Sequence, residues 1–178
     1  MRRRMFVLVA IAALAALPGL APARAQGVAI EVSGWERSTA ATGTIYYRCG
    51  GATCAPGSTV SYRPQERVQF ASLAAFRAQH ELVNQRMIAA SQGRIARVET
   101  VDASENDTAG QRSQTVVKAI AFADGRREVM ATSIVSDGTR HFSIVSTAPD
   151  HAAARANLQT FLPMVMLSGH IGGKPPTQ

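Results

Sequence analysis

Two hydrophobic periods run along this chain, and the change from one to the other marks out its elements. Between Ser72 and Gly93, Leu73, Phe76, Val83 and Met87 recur every three or four residues with His80 in the same stripe, while Arg77, Gln79, Glu81, Gln85 and Arg86 occupy much of the rest. That spacing predicts an amphipathic helix, with Ser72 as N-cap and Gly93 as the C-terminal stop. Beyond Gly93 the strand period takes over, and strands are predicted over 94–102, 113–123, 127–135 and 139–147. Asp124-Gly125 and Asp137-Gly138 separate the last three, a hairpin signal whose two central positions are expected at φ > 0. The polar run "ASENDTAGQR" (103–112) reads as the loop joining the first two. A closing helix is predicted from near Pro149, with Asp150 complementing its N-terminal dipole and Leu158, Phe161, Leu162 and Val165 as its apolar face. Pro163 is expected to kink it or end its regular part.

Upstream of the first helix, Val28, Ile30 and Val32 alternate and suggest a short first strand, and Trp35, the one tryptophan, suits a buried or half-buried core position. "TIYYR" (44–48) and "STVSYR" (58–63) are rich in β-branched and aromatic residues, with Gly50, Gly51, Pro56 and Gly57 between them, so they predict a hairpin. The order is then strand, hairpin, helix, four-stranded meander, helix. It implies an α+β fold in which an antiparallel sheet, the N-terminal hairpin plus the four-stranded meander, is packed by a central helix and a long C-terminal helix. Residues 26–168 make one domain, and 169–178, with three glycines, two prolines and no period, a flexible tail. Over about 44–167 this order resembles, in topology, the Mog1/PsbP-like α/β/α sandwich. The resemblance implies a sheet between helical layers and the company of small exported or lumenal accessory proteins; it assigns no functional residue. A helix-grip fold accepts the same order.

The first 25 residues read differently. Arg2, Arg3 and Arg4 precede an uncharged apolar run from Met5 to Leu17, Pro18 and Pro22 follow, and Ala23-Arg24-Ala25 offers small residues where a signal peptidase cuts. This is the layout of a secretory signal peptide over residues 1–25, with cleavage after Ala25 and Ala23 as the alternative. The run is too short for a membrane span, which takes about 20 residues. "RRMFVL" partly resembles a twin-arginine signal, though so apolar a run close to the N-terminus favours export of the unfolded chain. Cleavage removes four arginines and no acid, lowering the formal charge from +7 to +3. The mature chain is therefore mildly basic, which does not argue for a nucleic-acid partner. The expected location is the periplasm or the outside of the cell.

That location decides how Cys49 and Cys54, the two cysteines of the chain, are read. In an oxidising compartment an even pair is a disulfide, here closing the hairpin loop. Four intervening residues are too many for a thioredoxin-like centre. His80, His141, His151 and His170 are not spaced to complete a metal site. The fixed loop, with Arg48, Gly50, Gly51, Thr53 and Pro56, is the candidate binding surface.

Catalytic signals are sparse. His141 and Ser143 share a strand face and Asp150-His151 open the last helix, but no Gly-rich oxyanion loop or nucleophile elbow accompanies them. Asp102, Glu105, Asn106 and Asp107 are the densest acidic group; their spacing is not that of a calcium loop, and a polar turn is the expected reading. No cofactor fingerprint is present. Arg94 and Arg97 open one strand, while Arg126 and Arg127 lie at the opposite end of the meander from Arg140; such charges keep sheet ends soluble or serve an anionic surface. The reading favoured is an exported, non-catalytic accessory protein that contacts a partner protein or envelope component. The alternative is a small-ligand binder with a cavity between sheet and helix, where Ala119, Ala121, Ala131 and Ser133 leave room. An enzyme ranks third.

Overall fold

The computed structural model describes residues 30–108 and 110–168; the leader, the tail and Val28 fall outside them. The elements are β1 (Trp35–Thr39), β2 (Ile45–Cys49), β3 (Thr59–Gln65), α1 (Leu73–Ala90), β4 (Ile95–Thr108), β5 (Gln111–Phe122), β6 (Arg127–Ser136), β7 (His141–Ala148) and α2 (His151–Ser168). All seven strands form one antiparallel sheet in the order β1-β2-β3-β7-β6-β5-β4. The hairpin and the meander join where β3 pairs with β7, Tyr62 opposite Ile144. This is the α+β architecture that the element order implies.

The register assigns each strand residue to a face. Tyr47, Val60, Ser146, Ala131 and Val117 succeed one another across the sheet on one face, together with Ile45, Tyr62, Ile144, Ser133 and Val135. α2 lies on this face and completes the main core with Ala154, Leu158, Phe161, Val165 and Met166. Phe161 is its centre, 5.0 Å from the Trp35 ring and 4.8 Å from Tyr47, centroid to centroid. Burying one such aromatic contributes roughly 3 kcal/mol. Asn157 donates to Ser146 Oγ at 3.1 Å, satisfying the polar pair within the layer. α1 lies on the opposite face over β4 and β5, where Asn84 meets Thr100. The layers therefore run helix, sheet, helix, as the sandwich resemblance implies and a helix-grip does not.

Local chemistry explains the boundaries. Ser72 Oγ accepts from Ala75 N at 3.2 Å, and after Ala90 the chain leaves the helix through Gln92 and Gly93, both at positive φ. Asp150 Oδ1 accepts from Ala153 N at 2.8 Å and caps α2. At the other end, Arg140 Nη1 donates to Met166 O at 2.7 Å. Pro163 does not end the helix, which continues to Ser168.

Three sequence expectations are corrected. The first strand is Trp35–Thr39, not the Val28–Val32 run: Ile30 and Val32 pack against the core without pairing in the sheet. The polar loop expected over 103–112 is a long hairpin, β4 reaching Thr108 and β5 starting at Gln111. β4 is an edge strand, so it needs apolar residues on one side at most, and polar cross-strand partners hold its outer half: Glu105 is bound by Arg112, Nε to Oε1 at 2.9 Å. Finally, Gly125 and Gly138 adopt φ of +86° and +88°, while Asp124 and Asp137 keep ordinary φ. Their carboxylates accept from downstream backbone N–H groups, Arg126 N at 3.1 Å and Arg140 N at 2.7 Å. The first of these hairpins is thus a type I turn with a glycine bulge.

Candidate functional site

Cys49 ends β2, and a five-residue step brings Cys54 back to it, Cα to Cα 5.8 Å, in a disulfide. The loop this closes packs inward on the Ser33–Gly34 turn that leads into β1. Gly50 N donates to Gly34 O at 2.9 Å, and Thr53 Oγ1 donates to Ser33 O at 2.9 Å. Cys54 Sγ lies 3.3 Å from Gly34 O. Two glycines are required by this contact. A Cβ on Gly51 would stand 2.9 Å from Gly34 Cα, and one on Gly34, at φ +80°, would meet Thr53 Oγ1 at 2.1 Å. One strand turn away, Tyr47 OH donates to Ile30 O at 2.6 Å. The staple thus clasps the segment Ile30–Trp35, and Trp35 in turn reaches Phe161.

Of the predicted loop residues, Gly50, Gly51 and Thr53 spend their backbone or hydroxyl groups on that clasp, Thr53 keeping an exposed flank. Arg48 and Pro56 are exposed to solvent. Arg48 belongs to β2 and faces away from α2. With it on that face are Tyr46, 43% exposed, and Arg63, which lies on β3 diagonally across from Tyr46. Ser61 stands opposite Tyr46, and Glu36 of β1 opposite Arg48. α1 packs on β4 and β5, and among the described residues Tyr46, Arg48 and Arg63 leave this quarter of the sheet facing out beside the stapled loop. Sequence reasoning placed Arg48 here but missed Tyr46 and Arg63; the alternation of "IYYRC" was the available signal, since it sets Tyr46 and Tyr47 on opposite faces.

The remaining candidates do not converge. His141 Nδ1 bonds Ser136 Oγ at 2.8 Å, not Ser143, and Asp150 is a helix cap. The four residues expected as a polar turn lie along β4: Asp102 pairs with Arg155 at 2.7 Å and Glu105 with Arg112, so arginines already hold two of their carboxylates. Arg94, Arg97, Arg126 and Arg127 gather at one end of the sheet and Arg140 at the other. Arg97 pairs with Glu99 and Arg126 with Asp124 at 2.8 Å at the first end, and Arg140 with Asp137 at the second. The four small residues divide. Ala131 and Ser133 are fully buried under α2, while Ala119 and Ala121 line an open groove of about 420 Å³ that ends at Pro149–His151. Room is present at the start of α2.

A second polar group escaped the sequence reading. Lys118 of β5 is 1% exposed beneath α1, and Glu81 is the carboxylate that acts on its charge. Thr100 lies opposite it, Met130 on its other side. Asn84 of α1 donates to Thr100 Oγ1 and Glu81 Oε2, both at 3.0 Å, leaving its own Oδ1 unpartnered, as is His80 Nδ1. Burial, then the Lys118 charge, push the His80 imidazole down to about 4, and burial lowers Lys118 from the usual lysine range. A lysine amid "TVVKAIAF" was the visible anomaly.

No family model and no curated protein matches the chain. Among solved structures, it is similar to the cyanobacterial PsbP protein CyanoP from Synechocystis sp. PCC 6803, at 13% identity and a TM-score of 0.40, over 79% of this chain and 92% of that one. It is also similar to a protein of unknown function from Pseudomonas aeruginosa, at 11% identity and a TM-score of 0.36, over 80% and 86% of the two chains. The likeness is one of topology at low identity.

Proposed function

We propose that the chain is an exported, non-catalytic accessory protein that binds an acidic protein surface through the outward face of β2 and β3 beside the stapled loop. The observation that carries this reading is Tyr46 set among Arg48 and Arg63 on a solvent-facing sheet quarter. Tyrosine and arginine are the residues on which interface energy concentrates, and two guanidiniums select a carboxylate-bearing partner by charge. The Cys49–Cys54 bond supports it twice: it fits an oxidising compartment, and it lowers the ordering cost of a neighbouring loop on binding. Among the described residues no helix is long and apolar enough to cross a membrane.

The test places a photo-crosslinking residue at Tyr46 of the mature chain, and in a separate variant at Leu82 on the exposed side of α1, in cells exporting the protein. A partner captured from position 46 and not from 82 is then measured against Arg48→Glu and Arg63→Glu. Each reversal weakens binding about tenfold or more, the size of a single hot-spot loss, with Trp35 fluorescence unchanged. Equal capture from both positions, or affinity indifferent to both reversals, overturns the reading.

A further inference from the structure

The two helices are fastened to the sheet by different means. α2 seats Phe161, Leu158, Val165 and Met166 in a closed apolar layer. α1 fully buries one apolar side chain, Phe76, and beside it places Asn84 and His80 over Lys118, with Asn84 Oδ1 and His80 Nδ1 lacking partners. Each unpaired buried polar atom works against the packed state, so α1 holds to the sheet less firmly than α2.

From this arrangement we propose that α1 is a proton-operated latch: uptake of a proton by His80 places a second cation beside Lys118 beneath the helix, and α1 lifts from β4 and β5 while the α2 core stays closed.

The charged groups facing His80 are few. Lys118 comes from β5 and repels the imidazolium; Glu81 comes from α1 itself and partly offsets it. Arg77, a turn earlier, donates to Thr100 O at 3.3 Å. β4 presents Val98 and Thr100 there, β6 Met130, and none of these carries charge. The His80 ring stands edge-on to Phe76, centroids 4.6 Å apart, so its burial and the seat of Phe76 depend on one another.

The direction follows from the packed state's weaker grip on the proton. With α1 lifted, His80 is solvated and titrates near 6.5; with α1 down, it titrates near 4. As pH falls between those values the lifted state binds the proton and is favoured. From pH 7.5 to pH 4.5 the lifting equilibrium changes roughly 70-fold by this coupling. Lys118, beneath the same helix, is the cation whose repulsion the proton on His80 meets.

Amide hydrogen exchange on the mature, disulfide-intact chain reads the latch directly. After correction for intrinsic exchange, protection of 73–90 falls roughly 70-fold from pH 7.5 to pH 4.5, while 151–168 and the emission of Trp35, packed on Phe161, hold steady. His80→Leu abolishes the difference between the two pH values. Lys118→Met, which fills the same space without charge, raises protection of 73–90 at both and, by removing the repulsion on His80, shrinks the drop. A fall below threefold, a fall shared equally by 151–168, or a full drop retained in either variant overturns the proposal.

Discussion

Replacing Cys49 and Cys54 together by serine removes the staple and alters no other residue of the clasp. Four residues lie between the two cysteines along the chain. Chain-entropy bookkeeping for so short a loop gives about 2 kcal/mol, the low end for a natural disulfide. The loss has a second, local part. The loop that loosens is the one whose Gly50 N–H and Thr53 hydroxyl hold Gly34 and Ser33, and Trp35 follows directly. Two hydrogen bonds at about 1 kcal/mol each set the ceiling of that part. Urea unfolding followed by Trp35 fluorescence and by far-ultraviolet circular dichroism separates the two. With an m-value near 2 kcal/mol/M, the dichroism midpoint falls by about 1 M. The fluorescence transition begins earlier, because the segment around Trp35 detaches before the α2 core opens. Coincident transitions with a midpoint unmoved by more than about 0.2 M would refute the reasoning: the staple would then hold nothing that the sheet does not.

Three further outcomes follow from single contacts. Gly51→Ala forces a methyl against Gly34 Cα, a backbone atom that cannot swing aside; overpacking of this kind costs about 1–3 kcal/mol, read as a lowered urea midpoint. Tyr47→Phe deletes the bond to Ile30 O without opening a cavity, and costs about 1 kcal/mol in the same assay. Arg140→Ala removes the guanidinium that, together with the Thr139 hydroxyl and the backbone N–H groups of 139 and 140 that the variant keeps, holds Asp137 against burial well below the usual carboxylate range. A carboxylate depressed in the fold stabilises above its unfolded titration near 4 and loses that contribution as pH falls. The variant therefore loses stability at pH 7 relative to wild type, and the gap narrows below pH 4 in acid denaturation curves.

Much of the fold could be read in the order of residues because the signals there are local. Ser72 and Gly93 bracket α1 since a cap oxygen and a left-handed glycine act on their own turn. Asp124-Gly125 and Asp137-Gly138 place the meander for the same reason, although the aspartates bond forward and keep ordinary φ. Misreadings arose where a neighbour decides. Val28–Val32 alternates like a strand, but the edge of the sheet is taken by Trp35–Thr39, whose sole large apolar residue is Trp35. Residues 103–108 look like a loop because an edge strand can be polar on both faces when its partner supplies arginine and glutamine. The cysteines were legible as a bond. What the bond clasps was not, because Gly34 and Gly51 meet only after the hairpin has folded back on the turn before β1.

Lys118 shows where a local pattern misleads about energy. Its neighbours Val116, Val117 and Ile120 have the spacing of a central strand buried on both faces, and a strand so placed takes its lysine inside with it. A lysine at such a position is tolerated when a carboxylate or several carbonyls surround the amine; here Glu81 acts only through space, and the cover is a helix offering an amide and an imidazole. Hydrophobic periodicity assigned α1 and α2 the same part, each a stripe against the sheet. The stripes differ in what lies beneath them. Under α2 the sheet presents Ala131, Ile144 and Val135, and closing the layer removes mainly apolar surface from water, with no charged group among the buried residues of the layer. Under α1 it presents Lys118, and closing the layer strands a charge. Two helices of equal length on one sheet are therefore unequal in stability, and the chain's response to acid is written into the weaker one.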